Sequence, residues 1–448
     1  MRAMMVKYRV IRAPGKRFPG GAERLWNMLR REILPGVFLT AEQTDKYKTA
    51  LLSLSLLRPL ESGTASLGAL LPSVLLRGTE SCPDMERISE FLDGLYGAGF
   101  SGAVRKKGET QAIGFFADFI DDALAPGGEP ILAEMTRFLG EVLLHPHLED
   151  GVFSEDYVES EKLNLINSIE SQINDKRAYA TRRLIAEMCR GEGYGVDRLG
   201  SVESAEAISP ETLTAYYHKA LASSRYELFY CGRADFDTVA QLLRDALSGL
   251  PERAPDEIAC VPGKAPDTPR RVSERMDVTQ AKLAIGLRTG ITAESGLYPA
   301  MVLLNTVYGG GVSSKLFNNV REKLSLCYYA SSAVEKYKGV MVIASGVETA
   351  DLPRAEREIL RQLEDCKNAI ITEDELESAR RYALSSLRVG LDSPGRLEDF
   401  ALGQAIAGLT ETMEDLAERL RTVTRHDVAA AARTLTLDTV FTLEGERA

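Results

Sequence analysis

Five of the chain's 18 prolines, Pro251, Pro255, Pro262, Pro266 and Pro269, fall within residues 251–271. Each fixes its own φ and removes a backbone donor, so such a cluster supports neither a helix nor an interior strand. It reads as a linker that divides the 448 residues into 1–250 and 272–448. Either part is long enough to bury a core of its own. What the chain can fold into therefore turns on whether the two parts are related.

They share an order of blocks. Ala69–Thr79 (ALLPSVLLRGT) and Ala300–Gly310 (AMVLLNTVYGG) are apolar helical runs that end near glycine. Lys107-Gly108 precedes a strand-like QAIGFF, as Lys338-Gly339 precedes VMVIAS. SEDYVES at 154–160 is answered by TEDELES at 372–378. Each part closes on a helix and a strand, LTAYYHKAL with YELFYCG and VAAAARTL with TVFTLEG. Their common order makes an internal duplication the preferred reading. Alternating Leu52, Leu54, Leu56 and Leu283, Ile285, Leu287 predict the strand that opens each copy. Ile88, Leu92 and Leu95 form one stripe of a helix over 84–96, and 156–171 and 373–388 read as long helices, the second closed off by Pro394. Blocks of this kind predict the α+β class: two homologous domains, each a mainly antiparallel sheet with helices packed on one face. The expected boundaries are a basic extension at 1–37, a first domain at 38–250, the linker at 251–271 and a second domain at 272–448.

Charge and cysteine content narrow the function. Lys and Arg number 54 against 65 Asp and Glu, and the net charge of −11 argues against a nucleic-acid binder. Residues 1–32 run the other way, with nine Lys and Arg against Glu23 and Glu32. An Arg-rich start can imitate a transit peptide, but a short basic extension is the simpler reading. No apolar run approaches the roughly 18 residues of a membrane span. Six scattered cysteines without a C-x-x-C pair suit reduced thiols, so a cytoplasmic location is expected.

Familiar catalytic signatures are mostly missing. Gly97–Gly102 fits G-x-G-x-x-G, yet a helix precedes it and a strand follows, the reverse of a dinucleotide site, so it reads as a turn. No P-loop and no G-x-S-x-G elbow occur. His145-Pro146-His147 near Glu149 and Asp150 could offer two nitrogens, but a catalytic zinc wants three convergent ligands, and a pair around proline more often shapes a loop. His218 and His426 suggest no site. One cluster stands out: Tyr308-Gly309-Gly310-Gly311, then a short helix with Leu316, Phe317, Val320 and Leu324 apolar, then a strand over 327–334. Three glycines allow a tight turn and close approach of another backbone. Arg321 and Tyr328 flank the helix-to-strand turn as two donors that could face an oxyanion; a surface Arg and a half-buried sheet Tyr is the plainer alternative.

The duplicated plan, the run LLRGTE and the block GGGVSSKLFNNVREKLSLCYY resemble the insulinase/pitrilysin-type zinc peptidases, which include the mitochondrial processing peptidase. The resemblance covers the chain from about residue 38 onward. It implies H-x-x-E-H on the helix before Gly78-Thr79 and a distal Glu on a later helix, the two His and the distal Glu holding zinc. Here that frame falls on Ala69, Leu70, Leu71, Pro72 and Ser73, and the distal position on Asn167 or Ser168. None of these residues can replace the imidazoles or carboxylates, so no metal is expected in this chain and no peptide cleavage by the chain alone. The resemblance also implies an Arg and a Tyr seven residues apart in the second domain, matched by Arg321 and Tyr328, with Gly309, Gly310 and Gly311 as a substrate-binding glycine loop. It thereby implies a non-catalytic subunit that binds an extended peptide and serves the zinc site of a partner homologue in a heterodimer. The alternative is a catalytically dead homodimer with a binding or structural role. LLPSVLLRGTE and LDGLYGAGFSGAVRKKGETQ further resemble a bacterial pseudo-peptidase subfamily, some of whose members are named for an association with aminopentanol modification of elongation factor P. The residues themselves explain nothing of that association.

Overall fold

Strand alternation and capped helices build two sheets, one on each side of the proline cluster. The computed structural model describes residues 28–258 and 263–445. The first half opens with β1 (Met28–Leu34), β2 (Val37–Gln43) and β3 (Thr49–Pro59), then α1 (Ala65–Leu75) and α2 (Met85–Gly94). A hairpin of β4 (Gly99–Lys107) and β5 (Thr110–Ile120) follows, then α3 (Ile131–Leu144) and the small hairpin of β6 (Leu148–Glu149) and β7 (Val152–Phe153). Next come α4 (Glu155–Ser171), α5 (Lys176–Met188), α6 (Val202–Glu206), α7 (Pro210–Ser223), β8 (Arg225–Gly232) and α8 (Phe236–Ala246).

The second half repeats the plan. β9 (Arg270–Met276) and β10 (Ala281–Arg288) lead to α9 (Tyr298–Asn305) and two turns of wide, π-type helix at Thr306–Gly310 and Leu316–Lys323. The hairpin of β11 (Tyr329–Glu335) and β12 (Val340–Val347) precedes α10 (Leu352–Lys367) and α11 (Glu373–Gly390). α12 (Pro394–Ile406), α13 (Met413–Thr422), α14 (Arg425–Arg433) and β13 (Thr436–Gly445) complete it. Local chemistry sets the helix starts. Asp84 caps α2 and Asp175 caps α5, while Thr372 and Glu375 form a reciprocal capping box on α11.

The two sheets have one topology. Read from the hairpin edge, the first is β4-β5-β3-β8-β2-β1 and the second β11-β12-β10-β13-β9. Leu54, flanked by Phe115 and Leu228, has its counterpart in Ile285, flanked by Ile343 and Val440. In both sheets the pairing is antiparallel except at one place, β2 beside β8 and β9 beside β13. Gly108 and Gly339 turn the two hairpins with φ of +56° and +70°, a left-handed backbone suited to glycine.

Three boundaries differ from the sequence reading. β1 lies inside the span read as an extension; its edge position tolerates charge, and Arg30 bonds Glu227 of β8 at 2.6 Å. The rest of that basic stretch, 1–27, lies outside the described residues. β9 begins at Arg270, inside the span read as linker, because Pro269 sits just ahead of the strand and costs it no donor. Pro394 opens α12, where a missing N–H is harmless, and α11 has already ended at Gly390.

Each sheet has two buried faces, covered in different ways. Leu52, Leu54, Leu56, Leu228 and Tyr230 face the first half's own helices. The alternate residues Leu51, Phe229 and Cys231 point the other way, against Leu397 and Ala401 of α12 and Met413 of α13. In return, Ala180 and Leu184 of α5 cover Ala284, Phe441 and Leu443 on the second sheet. So helices pack on one face from within each half, as expected, and the other half supplies the cover for the opposite face. Buried ions stitch the same seam. Arg288 bonds Asp438 at 2.9 Å and Glu192 at 2.7 Å, Lys338 bonds Glu192 at 2.7 Å and also Glu109, and Arg105 bonds Glu398 at 2.6 Å. Burial alone would raise the Glu192 carboxyl, but Arg288 and Lys338 hold it below its usual range.

Among the described residues, one oxygen of a buried carboxylate on this seam has no hydrogen-bond partner. Glu42 of β2 lies under the helices of the second half with Oε2 unbonded, facing Glu414 of α13 and Cys231 of β8. Burial first, and the Glu414 charge second, push its carboxyl from 4.5 up to about 7. The folded state therefore binds more protons than the unfolded one between those values, so stability falls as pH rises from 4.5 to about 7 and is level above. Glu42→Gln is expected to remove most of that fall and to exceed the parent at alkaline pH by up to about 3 kcal/mol. Urea denaturation across this pH range checks it, and parallel profiles for the two proteins count against it.

Candidate functional site

The second half carries the block that the sequence singled out. α9 runs into the wide turn Thr306–Gly310, whose Tyr308 is buried and donates its hydroxyl to the Ile359 carbonyl at 3.0 Å. None of Gly309, Gly310 and Gly311 has a left-handed backbone; what they require is space. A Cβ on Gly309 would stand 2.7 Å from Ser332 Oγ and 2.8 Å from the Ser332 nitrogen on β11. On Gly310 it would meet Asn305 Nδ2 at 2.5 Å, and on Gly311 the Thr306 carbonyl at 2.9 Å. The close approaches these glycines permit are thus made within the chain.

Beyond the glycines, Leu316 and Val320 anchor the second wide turn in the core, and Lys315 is tied to Glu375 at 2.8 Å. Arg321 projects from the opposite side, exposed, its guanidinium carbon 4.8 Å above the Phe317 ring and Nε 3.4 Å from Glu322. The Leu326 N–H bonds the Val320 carbonyl at 3.0 Å, and Ser325, at φ +50°, turns the chain toward β11. Cys327 is buried there and Tyr328 is 61 % exposed. Arg321 and Tyr328 therefore stand on either side of one closed turn, both reachable from outside. Tyr328 donates its hydroxyl to Glu348 at 2.7 Å, a partner that spacing could not reveal because it sits across the β11–β12 hairpin. That hydrogen bond raises the phenol above its ordinary value, so the hydroxyl remains a donor.

In the first half, the positions that the resemblance assigns to zinc carry neither imidazole nor carboxylate. Ala69 and Pro72 are buried on α1, while Ser73 and, on α4, Asn167 and Ser168 are exposed. Pro72 removes the N–H that would bond the Gly68 carbonyl. Its ring packs on β4, where a Cβ on Gly102 would lie 3.0 Å from Pro72 Cβ. α1 and α4 are joined by Arg77, which bonds Glu161 at 3.0 Å and lies over the Tyr157 ring. His145 and His147 do not converge. Their segment pairs with Gly78–Glu80, and each imidazole turns to a different carboxylate, Glu80 at 3.6 Å and Glu149 at 3.9 Å. Among the described residues no three His, Cys, Asp or Glu side chains gather as a metal would need. Cys82, Cys189, Cys231, Cys327 and Cys366 are free thiols, and burial pushes the Cys231 thiol up to about 12.

The site thus stands in a duplicated α+β chain whose sequence has no H-x-x-E-H. Comparison with known proteins gives the family. Residues 207–382 match the family described as the peptidase M16 inactive domain. The chain is 33 % identical over 403 residues to the probable inactive metalloprotease YmfF of Bacillus subtilis, covering 90 % of this chain and 94 % of that one. It is 24 % identical over 293 residues to an uncharacterized zinc protease, Rv2782c, of Mycobacterium tuberculosis, covering 64 % and 66 % of the two chains. A conserved protein of Enterococcus faecalis superposes with TM-score 0.87 at 29 % identity, over 94 % of this chain and 99 % of that one. A peptidase M16 inactive domain of Pseudomonas fluorescens shares the fold with TM-score 0.78 at 18 % identity, over 94 % and 99 %. The chain belongs to the peptidase M16 family, the insulinase-type peptidases.

Two outcomes are expected. Gly309→Ala forces a methyl against the Ser332 backbone and should cost about 2–4 kcal/mol by chemical denaturation, in the range of core overpacking and above; a loss within experimental error would show that the turn yields freely. The purified chain should retain no stoichiometric zinc after dialysis. One tightly held zinc per chain, measured by atomic absorption, would redirect attention to His145 and His147.

Proposed function

We propose that this chain is the non-catalytic subunit of a two-subunit M16 peptidase, binding an extended peptide at a sheet edge and presenting Arg321 and Tyr328 to the zinc site of a partner chain. One observation carries the reading: both residues are exposed around a single turn, closed by the Leu326–Val320 hydrogen bond, that leads into β11, an edge strand. A purely structural descendant has no chemical need for an accessible guanidinium and phenol there. The metal, held by the partner, would supply the activated water. From this chain Arg321 adds a permanent positive charge that holds the peptide backbone, and Tyr328 a neutral donor toward the oxyanion. Donors of this sort lower the barrier when they strengthen as charge develops. Glu348 keeps the Tyr328 hydroxyl oriented until the substrate oxygen replaces it as acceptor. Gly310 and Gly311, half-exposed beside Val312, border the same surface as candidate peptide contacts.

Peptide addition to a sheet edge needs unpaired backbone groups. Here β4 and β11 end their sheets, so each half offers such an edge. A second reading, a catalytically dead homodimer with a structural role, draws on the fold likeness to a chain of complex III2 from Candida albicans, TM-score 0.71 at 15 % identity over 91 % of this chain and 94 % of that one. An association with elongation factor P modification rests on sequence resemblance alone and forms no part of the proposal.

Reconstitution with a zinc-bearing M16 homologue tests it. Arg321→Ala and Tyr328→Phe should each lower peptide turnover by about 10²–10³ while size-exclusion chromatography shows assembly intact. Tyr328→Phe should act on kcat, and Arg321→Ala should also raise KM. Unchanged kinetics in both variants would leave the chain as a scaffold.

A further inference from the structure

The first sheet's open edge is shorter than β4 itself. Arg198 Nε donates to the Val104 carbonyl at 3.2 Å, so Val104 presents its backbone outward, and by strand alternation Phe100 and Gly102 do the same. Lys106, two residues on, donates to the carbonyls of Tyr194 at 2.6 Å and Val196 at 2.8 Å and lies over the Tyr194 ring at 4.2 Å. Segment 194–198 is therefore tied alongside the end of β4 at two points. Phe100 and Gly102 lie ahead of these ties, and Gly102 adds no side chain to obstruct a neighbour.

Immediately past this stop lies a cavity of about 720 Å³, bounded by the end of α4, by α5 and by segment 195–203. Its walls include Ile169, Ile173, Ile185, Val196 and Val202, with Ile173 40 % exposed. The cations that line it are engaged within the chain: Lys106 as above, Arg182 by the Gln172 carbonyl at 2.6 Å, Arg183 by Glu274 at 2.7 Å. Glu170, Asp197 and Glu203 also line it, so what the cavity offers a ligand is apolar surface beside a strand edge, in a setting that disfavours an anion.

We propose that segment 194–198 ends the pairing register at Val104, and that the cavity beyond it receives an apolar side chain of the peptide strand paired with Phe100 and Gly102. This inference rests on the peptide-binding reading above and gives it a specificity: extended peptides with a large aliphatic or aromatic residue at one fixed position.

The test uses the full chain and fluorescein-labelled ten-residue Ser/Thr peptides carrying one Leu or one Asn at each position in turn, read by fluorescence anisotropy. For the parent, one position should favour Leu over Asn by about ten-fold or more, the value of burying one such side chain. Ala186→Phe or Val202→Phe, each filling the cavity from a different helix, should flatten that preference, with thermal melting confirming the fold. Arg198→Ala frees the Val104 carbonyl and should tighten all the peptides by about three-fold to ten-fold, the net worth of one hydrogen bond. Peptide binding without positional preference, or a preference untouched by both cavity variants, overturns the proposal and leaves peptide binding standing. No binding of any extended peptide overturns both.

Discussion

Neither sheet of this protein can bury its second face by itself. The outer face of the first sheet is closed by α12 and α13, and that of the second by α5, so each half lends a helix to the other. The helices before α5 and α12, α4 and α11, answer each other in sequence, which makes the exchange reciprocal as well as mutual. Everything else follows from that seam. Glu192, just after α5, is carried across to the buried Arg288 and Lys338, which also hold Asp438 and Glu109 respectively. Removing one member would strand a buried charge, which costs far more than the pair contributes, so the network fixes how the halves meet more than how tightly they hold.

Much of the plan was legible because period and order survive in sequence. Alternation over Leu52–Leu56 and Leu283–Leu287 marks the central strands, one apolar stripe marks α2, and long helical stretches mark α4 and α11. The exchange was not legible. Ala180 and Leu184 look like the inner stripe of any amphipathic helix, and nothing in a stripe tells which sheet it will meet. β1 and β9 were hidden for a related reason: as edge strands they carry Arg30, Arg31, Arg270 and Arg271, and an edge keeps its charges solvated or paired where an interior strand cannot.

The site divides the same way. That Ala69, Pro72 and Ser73 carry neither imidazole nor carboxylate is a matter of residue identity, which sequence reports directly. The glycines were open to misreading, because a run of three suggests an unusual backbone, whereas the structure uses their missing Cβ atoms to seat one wide turn against Ser332. Tyr328 and Glu348 are neighbours only through the hairpin register that sets Tyr329 opposite Gly346. Where a function needs two residues from different strands, a single sequence shows each and not the pair.

The crossed helices also say what the proline cluster does. Two half-length chains exchanging such helices would form a symmetrical dimer, held by mass action and lost on dilution. Joined end to end, the same halves meet at an effective concentration set by the tether, independent of how much protein is present. The join also frees them from identity. Once one copy need no longer pair with itself, its α1 can become apolar packing while the other keeps an exposed Arg and Tyr, and the shared seam still closes.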